Sequence, residues 1–189
     1  MRPAANGAAR PDPIVELCAF RVGDEEYVID IRRIREIVQP LPVTQVPRAP
    51  EWMEGVANLR GEVVPVLDVR RRLGLGPRPP TRRTKFLVVH VAGRVIALVV
   101  DGVSEVVRIP RSAIGPPPAG SVDLRLFVGV CGARSTAPAR EAQAAKAKST
   151  REGAPARGGA APQRLRLLLN VKALLDPRVL GGPAPGGRR

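Results

Sequence analysis

The 189-residue sequence predicts an all-β fold, and three observations carry that prediction. The apolar residues fall in short runs rich in Val, Leu and Ile, and β-branched side chains fit a pleated, half-buried surface. Gly, Pro and Asp residues punctuate these runs at short intervals. Helical spacing is confined to pieces of one or two turns. Many short strands with frequent turns describe a barrel or a sandwich. Aromatic residues are 3% of the chain against 44% for all hydrophobic types, so the interior has to be aliphatic. The length suits one domain, or two small ones sharing a core. No internal repeat stands out at the periods of solenoids and propellers.

Residues 1–13 read as a disordered leader, with order beginning near Ile14. Val15 to Val22 is a strand, Gly23 to Glu26 a four-residue connection, and Tyr27 to Ile31 the hairpin partner. Ile31, Ile34, Ile37 and Val38 fit either helical turns or a third strand, and Pro40 and Pro42 end whatever forms there. Pro50 near the start and Gly55 at the end mark 49–55 as a short helix. Asn58-Leu59-Arg60-Gly61 is a tight turn between two Val-rich runs. Asp68 to Leu73 is a short helix stopped by Gly74 and Gly76, and 76–84 is a Pro- and Arg-rich linker. Phe86 to Val91 and Val95 to Val100 are strands on either side of an Ala92-Gly93 turn. Asp101-Gly102 is either a hairpin signal or a bend through which the strand continues to Ile109. Leu126 to Val130 and Leu165 to Val171 are strands that would pair across a long insertion, and Lys172 to Leu175 is a last short helix. The insertion, 133–163, is made of Ala, Gly, Pro, Lys, Arg and Ser, which cannot bury a core, so it reads as disordered. Residues 181–189 read as a flexible tail.

The net charge of +14 is uneven. Seven basic residues from Arg70 to Lys85 have no acid among them, the insertion contributes six basic and two acidic residues, and Arg188 and Arg189 end the chain; together these supply 13 of the 14 charges. The basic excess therefore belongs mostly to linkers. The longest apolar run, Val95 to Val100, is far short of the roughly 20 residues of a membrane-spanning helix, and residues 1–13 carry no secretory h-region. These features predict a cytoplasmic protein. Cys18 and Cys131 sit in strand-like apolar segments as small hydrophobes. Catalytic groups are sparse. The single His, His90, alternates with apolar neighbours; no Ser lies in a Gly-x-Ser-x-Gly turn, and phosphate-loop and dinucleotide motifs are missing. Two thiols and one His make no metal site. The prediction is a non-enzyme with no cofactor and no metal.

Four blocks, in order, resemble the CheW-like domain family. Phe20 to Ile31 (FRVGDEEYVIDI) is similar to the family's opening. Gly55 to Asp68 (GVANLRGEVVPVLD) is similar to its Gly-Val-x-Asn-Leu-Arg-Gly signature followed by paired hydrophobic residues, Pro and a closing Asp. Leu98 to Val106 (LVVDGVSEV) and Leu167 to Leu175 (LLLNVKALL) resemble two later segments. The resemblance implies two SH3-like five-stranded β-barrels packed together, with a few short helices, over a domain at 14–180 interrupted by 133–163. It also implies a function: a chemotaxis-type adaptor that couples chemoreceptor cytoplasmic tips to the regulatory domain of a CheA-like histidine kinase, with no small-molecule substrate and no membrane insertion. The insertion and the Arg-rich 70–85 depart from the family pattern.

Arg60 leads the candidate partner-binding residues. A cation in a tight turn is presented outward, and the corresponding family Arg is associated with receptor and kinase coupling. Asn58 and Leu59 share its turn. Ile34, Glu36 and Ile37 resemble part of a receptor-contacting surface, although the two Ile residues would equally serve a core. Val103 lies near the expected seam between barrels. The alternative function is a small basic β-barrel that binds nucleic acid. Charge favours it, and the lack of an interleaved aromatic platform opposes it.

Overall fold

The computed structural model describes residues 11–117, 124–133 and 164–175. Among these residues, twelve strands form two six-stranded sheets. The first contains β1 (Ile14–Val22), β2 (Glu25–Asp30), β9 (Gly102–Pro110), β10 (Ile114–Gly115), β11 (Phe127–Ala133) and β12 (Arg164–Leu169), ordered β10-β11-β12-β2-β1-β9. The second contains β3 (Ile34–Val38), β4 (Val43–Thr44), β5 (Met53–Leu59), β6 (Glu62–Asp68), β7 (Lys85–Val91) and β8 (Arg94–Val100), ordered β3-β7-β8-β6-β5-β4. The second sheet is one continuous stretch of chain inserted into the first. The chain leaves the first sheet after β2 through a 3₁₀ turn at Ile31–Arg33, capped by the Asp30 carboxylate, and returns through Asp101. The Arg32 guanidinium on Asp30 holds that carboxyl below its ordinary range.

Both sheets are wired alike. In each, two hairpins meet in a parallel pair, β12 with β2 and β6 with β8. In each, the two edges are consecutive strands: β9 and β10 are joined by the 3₁₀ turn Arg111–Ala113, and β3 and β4 by residues 39–42. A connection of four residues spans less than about 20 Å, so each sheet curls until its edges approach. The hydrogen-bonded ladder nevertheless stays open between those edges among the described residues, and each sheet has six strands where SH3-like five-stranded barrels were expected.

Curling gives three apolar clusters. Leu17, Ala19, Val28, Val107, Ile109 and Cys131 fill the concave side of the first sheet. Ala57, Leu59, Val64, Val66, Phe86, Val88 and Ala97 fill that of the second. The largest lies between the sheets, where Cys18, Phe20, Tyr27, Ile29 and Leu169 meet Leu67, Leu87, Val89, Ile96 and Leu98. Central strands are therefore buried on both faces, which is why Leu17 to Phe20 of β1, Phe86 to Val89 of β7 and Val95 to Val100 of β8 read as unbroken apolar runs and not as alternating ones.

The shared wiring repeats local chemistry. β6 leads into α1 (Val69–Arg72) capped by Asp68, and β12 leads into α2 (Val171–Leu174) capped by Asn170. Gly55 on β5 and Gly129 on β11 both sit at bulges, where a Cβ would run into the carbonyl of Thr44 on β4 or of Gly115 on β10. The order is permuted, since the hairpin β1–β2 opens the chain while its counterpart β7–β8 follows α1. No simple periodicity survives such a permutation.

Several elements differ from expectation. No helix forms over 49–55; two turns lead into β5, because Met53 onward pairs with β6 and the ladder outweighs local signals. The β1–β2 connection is two residues, Gly23-Asp24, with Val22 opposite Glu25. The ambiguous piece after Ile31 becomes a 3₁₀ turn and then β3. At the leader's end, the Pro13 carbonyl accepts from the Arg111 N–H. Ala133 ends β11, and the rest of the expected insertion, residues 1–10 and the tail lie outside the described residues. No helix among the described residues is long and apolar enough to cross a membrane.

Candidate partner-binding site

β5 and β6 pair from Met53–Leu67 out to Leu59–Glu62, leaving Arg60-Gly61 as a two-residue loop. Both residues have positive φ, 53° and 91°, as a type I′ hairpin turn requires. Asn58 braces the turn, its Oδ1 accepting from the Gly61 N–H at 2.7 Å. Pairing fixes the Arg60 backbone while its side chain stays 77% exposed.

The curl of the second sheet carries edge strand β3 to this turn. Arg60 Nη2 lies 3.0 Å from Glu36 Oε2, and Arg35 Nη1 lies 2.6 Å from Glu62 Oε2. The two ion pairs run in opposite senses across the side of the sheet where the backbone ladder is open. Exposed pairs of this kind are worth about 0–1 kcal/mol, so a competing carboxylate can exchange for Glu36 at small cost. Ile37 on β3 is exposed, and so is Val63, one residue beyond Glu62. The site is thus an exposed cation paired with Glu36, on strands that also carry the exposed side chains of Ile37 and Val63.

The sequence candidates separate cleanly. Arg60, Glu36 and the exposed Asn58 come together, with Ile37 beside Glu36 on β3. Leu59 is 4% exposed and belongs to the cluster inside the second sheet, so it holds the turn from below. Ile34 and Val103 are half-buried against the intersheet cluster. Arg35, Glu62 and Val63 were missed. Val63 had a readable signal: with Leu59 and Val64 taken as core, strand alternation turns Val63 outward.

Other chemistry-bearing groups serve the interior. Arg166 is buried, with Nε 3.0 Å from Glu26 and Nη2 2.6 Å from Glu105, tying β12 to β2 and β9. Both cysteines are free and buried. Burial pushes the Cys18 thiol up to about 11, and it also raises that of Cys131, against the opposing pull of Arg166. His90 is exposed on β7, and no three His, Cys, Asp or Glu side chains among the described residues are placed to hold a metal.

Comparison with known proteins bears on this arrangement. The family model described as a CheW-like domain matches residues 16–134. "Chemotaxis protein CheW" of Rhizobium meliloti is 44% identical over 103 residues, 54% of this chain and 66% of that protein. "Chemotaxis protein CheW" of Helicobacter pylori is 36% identical over 117 residues, 61% of this chain and 71% of that protein. The crystal structure of the scaffolding protein TtCheW from Thermoanaerobacter tengcongensis superposes with a TM-score of 0.67 at 24% identity, covering 86% of this chain and 92% of that one. This last likeness is one of fold.

Proposed function

Because the chain belongs to the CheW-like domain family, we propose that it is a non-enzymatic, cytoplasmic adaptor of a chemotaxis-type pathway. It couples the cytoplasmic tips of chemoreceptors to the regulatory domain of a CheA-like histidine kinase. Residues 14–180 act as one CheW-like domain interrupted at 133–163, and each curled sheet plays the part of an SH3-like barrel. Contact is made by the β5–β6 turn together with β3: Arg60, Asn58, Glu36 and Ile37 touch the partner, Leu59 holds the turn from inside the second sheet, and Ile34 and Val103 pack against the intersheet seam. The observation that carries this reading is Arg60. A non-glycine residue held at φ 53° bears a cost of about 1–3 kcal/mol, yet its guanidinium is exposed and holds one exchangeable partner.

The test separates folding from binding. Truncating an exposed Arg changes stability by about 0.5 kcal/mol or less, whereas truncating one at the centre of an interface costs about 2 kcal/mol or more. Arg60→Ala should therefore keep its thermal midpoint and bind the kinase regulatory domain at least about tenfold more weakly, a difference of about 1.4 kcal/mol. Arg94→Ala, at the exposed start of β8, removes the same charge elsewhere and should bind like the wild type. Equal weakening in both variants would reduce the effect to general electrostatics and sink the assignment.

A further inference from the structure

The segment 76–84, read from sequence as a linker, folds on itself and is tied to α1 at Gly76, whose carbonyl accepts from Arg70 Nε at 3.2 Å. The Thr81 N–H donates to Thr84 Oγ1 at 2.8 Å, and the Arg83 N–H donates to Thr81 Oγ1 at 3.2 Å. Lys85 Nζ donates to the Arg82 carbonyl at 3.0 Å. Gly102 lies beside Arg83, where an added Cβ would make ordinary van der Waals contact, 3.5 Å from the Arg83 carbonyl oxygen. Pro77, Pro79 and Pro80 stiffen the same stretch.

Held in this way, the segment walls a cleft of about 400 Å³ against the end of β1 and the crossover between the sheets. Four arginines line it, Arg21, Arg78, Arg82 and Arg83, all of them exposed to solvent. Among the described residues none of the four is paired with a carboxylate. Asp101 is the one acid among the described residues of the wall, and it is already engaged, accepting from the Gly23 N–H and from Arg70 Nη1, each at 2.7 Å.

Four like charges around one cavity repel one another, and a bound polyanion would relieve that repulsion. Guanidinium forks match phosphate oxygens bidentately, and a pre-ordered wall loses little entropy on binding. No aromatic residue among the described residues lines the cleft, so they offer no platform for stacking bases. The four arginines border one cavity instead of forming a stripe along a face, which suits a compact ligand and not a duplex.

We propose that this cleft binds a compact oligophosphate, two or three linked phosphate groups, free or carried on a nucleotide. The site is separate from the Arg60 turn, and its occupancy does not depend on the adaptor role.

Calorimetric titration at about 0.15 M salt, where exposed charges beyond roughly 8 Å are screened, tests it with tripolyphosphate, ATP and adenosine as probes. Tripolyphosphate should bind saturably at one site and adenosine should not bind. Similar affinity for ATP identifies the free anion as sufficient, and ATP tighter by about tenfold or more identifies the nucleotide as carrier. The double variant Arg78→Gln/Arg82→Gln should lose binding by at least about tenfold, with Arg94→Gln unchanged. On the unaltered protein, tripolyphosphate should shift the amide resonances of Gly23, Thr81 and Gly102, a readout independent of how any variant folds. The proposal fails if tripolyphosphate does not bind, if ATP binds only through its base, if Arg94→Gln weakens binding as much as the cleft variant, or if those amides stay still. Displacement of tripolyphosphate by duplex DNA would also overturn it, assigning the cleft to nucleic acid.

Discussion

At Arg60 backbone and side chain make opposite demands, and the conflict can be measured. Glycine adopts positive φ at no steric cost, so Arg60→Gly should match or exceed the thermal midpoint of Arg60→Ala. Both variants should lose partner affinity alike, since both lack the guanidinium. If the glycine variant binds normally, contact is made by the turn's backbone and not by the cation. The cysteines illustrate the reverse situation, in which a reactive group is silenced by its surroundings. The thiolate is the reactive species, and burial disfavours it at Cys18 and Cys131. Neither should react with an aromatic disulfide reagent at mildly alkaline pH in the native protein, and both should react in denaturant. Rapid native-state labelling would show that β1 or β11 opens locally. The exposure of Arg60 was legible in the sequence because an Asn-Leu-Arg-Gly turn has few alternatives. Its pairing with Glu36 was not, since nothing in the local sequence says that β3 returns to the β5–β6 turn.

Short helices at the ends of two strands show how far capping alone reaches. Asp68 Oδ1 accepts from the Arg70 and Arg71 N–H groups at 2.8 and 3.2 Å, and its other oxygen meets Arg71 Nε. The run from Asp68 to Leu73 followed by Gly74 made this helix readable, as its stop is local. Removing an N-cap costs about 0.5–2 kcal/mol. Asp68→Ala should fall at the upper end of that range in urea titrations, because the acceptor is buried and serves two donors. Asp68→Asn should recover most of the loss; equal losses would mean that the charge on Arg71, and not capping, matters. α1 also carries Arg72 into the interior, where its guanidinium stacks 4.7 Å from the Trp52 ring and donates to the Ala173 carbonyl at 3.0 Å. The two helices are therefore coupled through one buried cation. By contrast, 49–55 has helix punctuation and forms none, since its last residues are needed by the β5–β6 ladder.

Over the whole molecule, the two sheets share one apolar seam and the chain crosses between them twice. Neither sheet can separate without exposing that seam, so unfolding should be a single transition. Trp52 is the only Trp and packs against the seam, so its fluorescence and far-ultraviolet dichroism should fall together on heating. Leu98→Ala, at a fully buried seam position, should cost about 2–5 kcal/mol and shift both signals equally. Two separated transitions would show that the sheets fold independently. By itself the sequence determined the β class, most strand positions, the Asn58–Gly61 and Ala92–Gly93 turns and the short helix stopped at Gly74, because each depends on residues within a few positions of one another. The tertiary structure alone decided the parallel pairs β2–β12 and β6–β8, the shared but permuted wiring of the two sheets, and the meeting of Arg60 with Glu36. It also turned 76–84 from an apparent linker into the wall of an arginine-lined cleft. These features join residues far apart in the chain, where hydrophobic patterning fixes which side chains are buried but not which strand lies next to which.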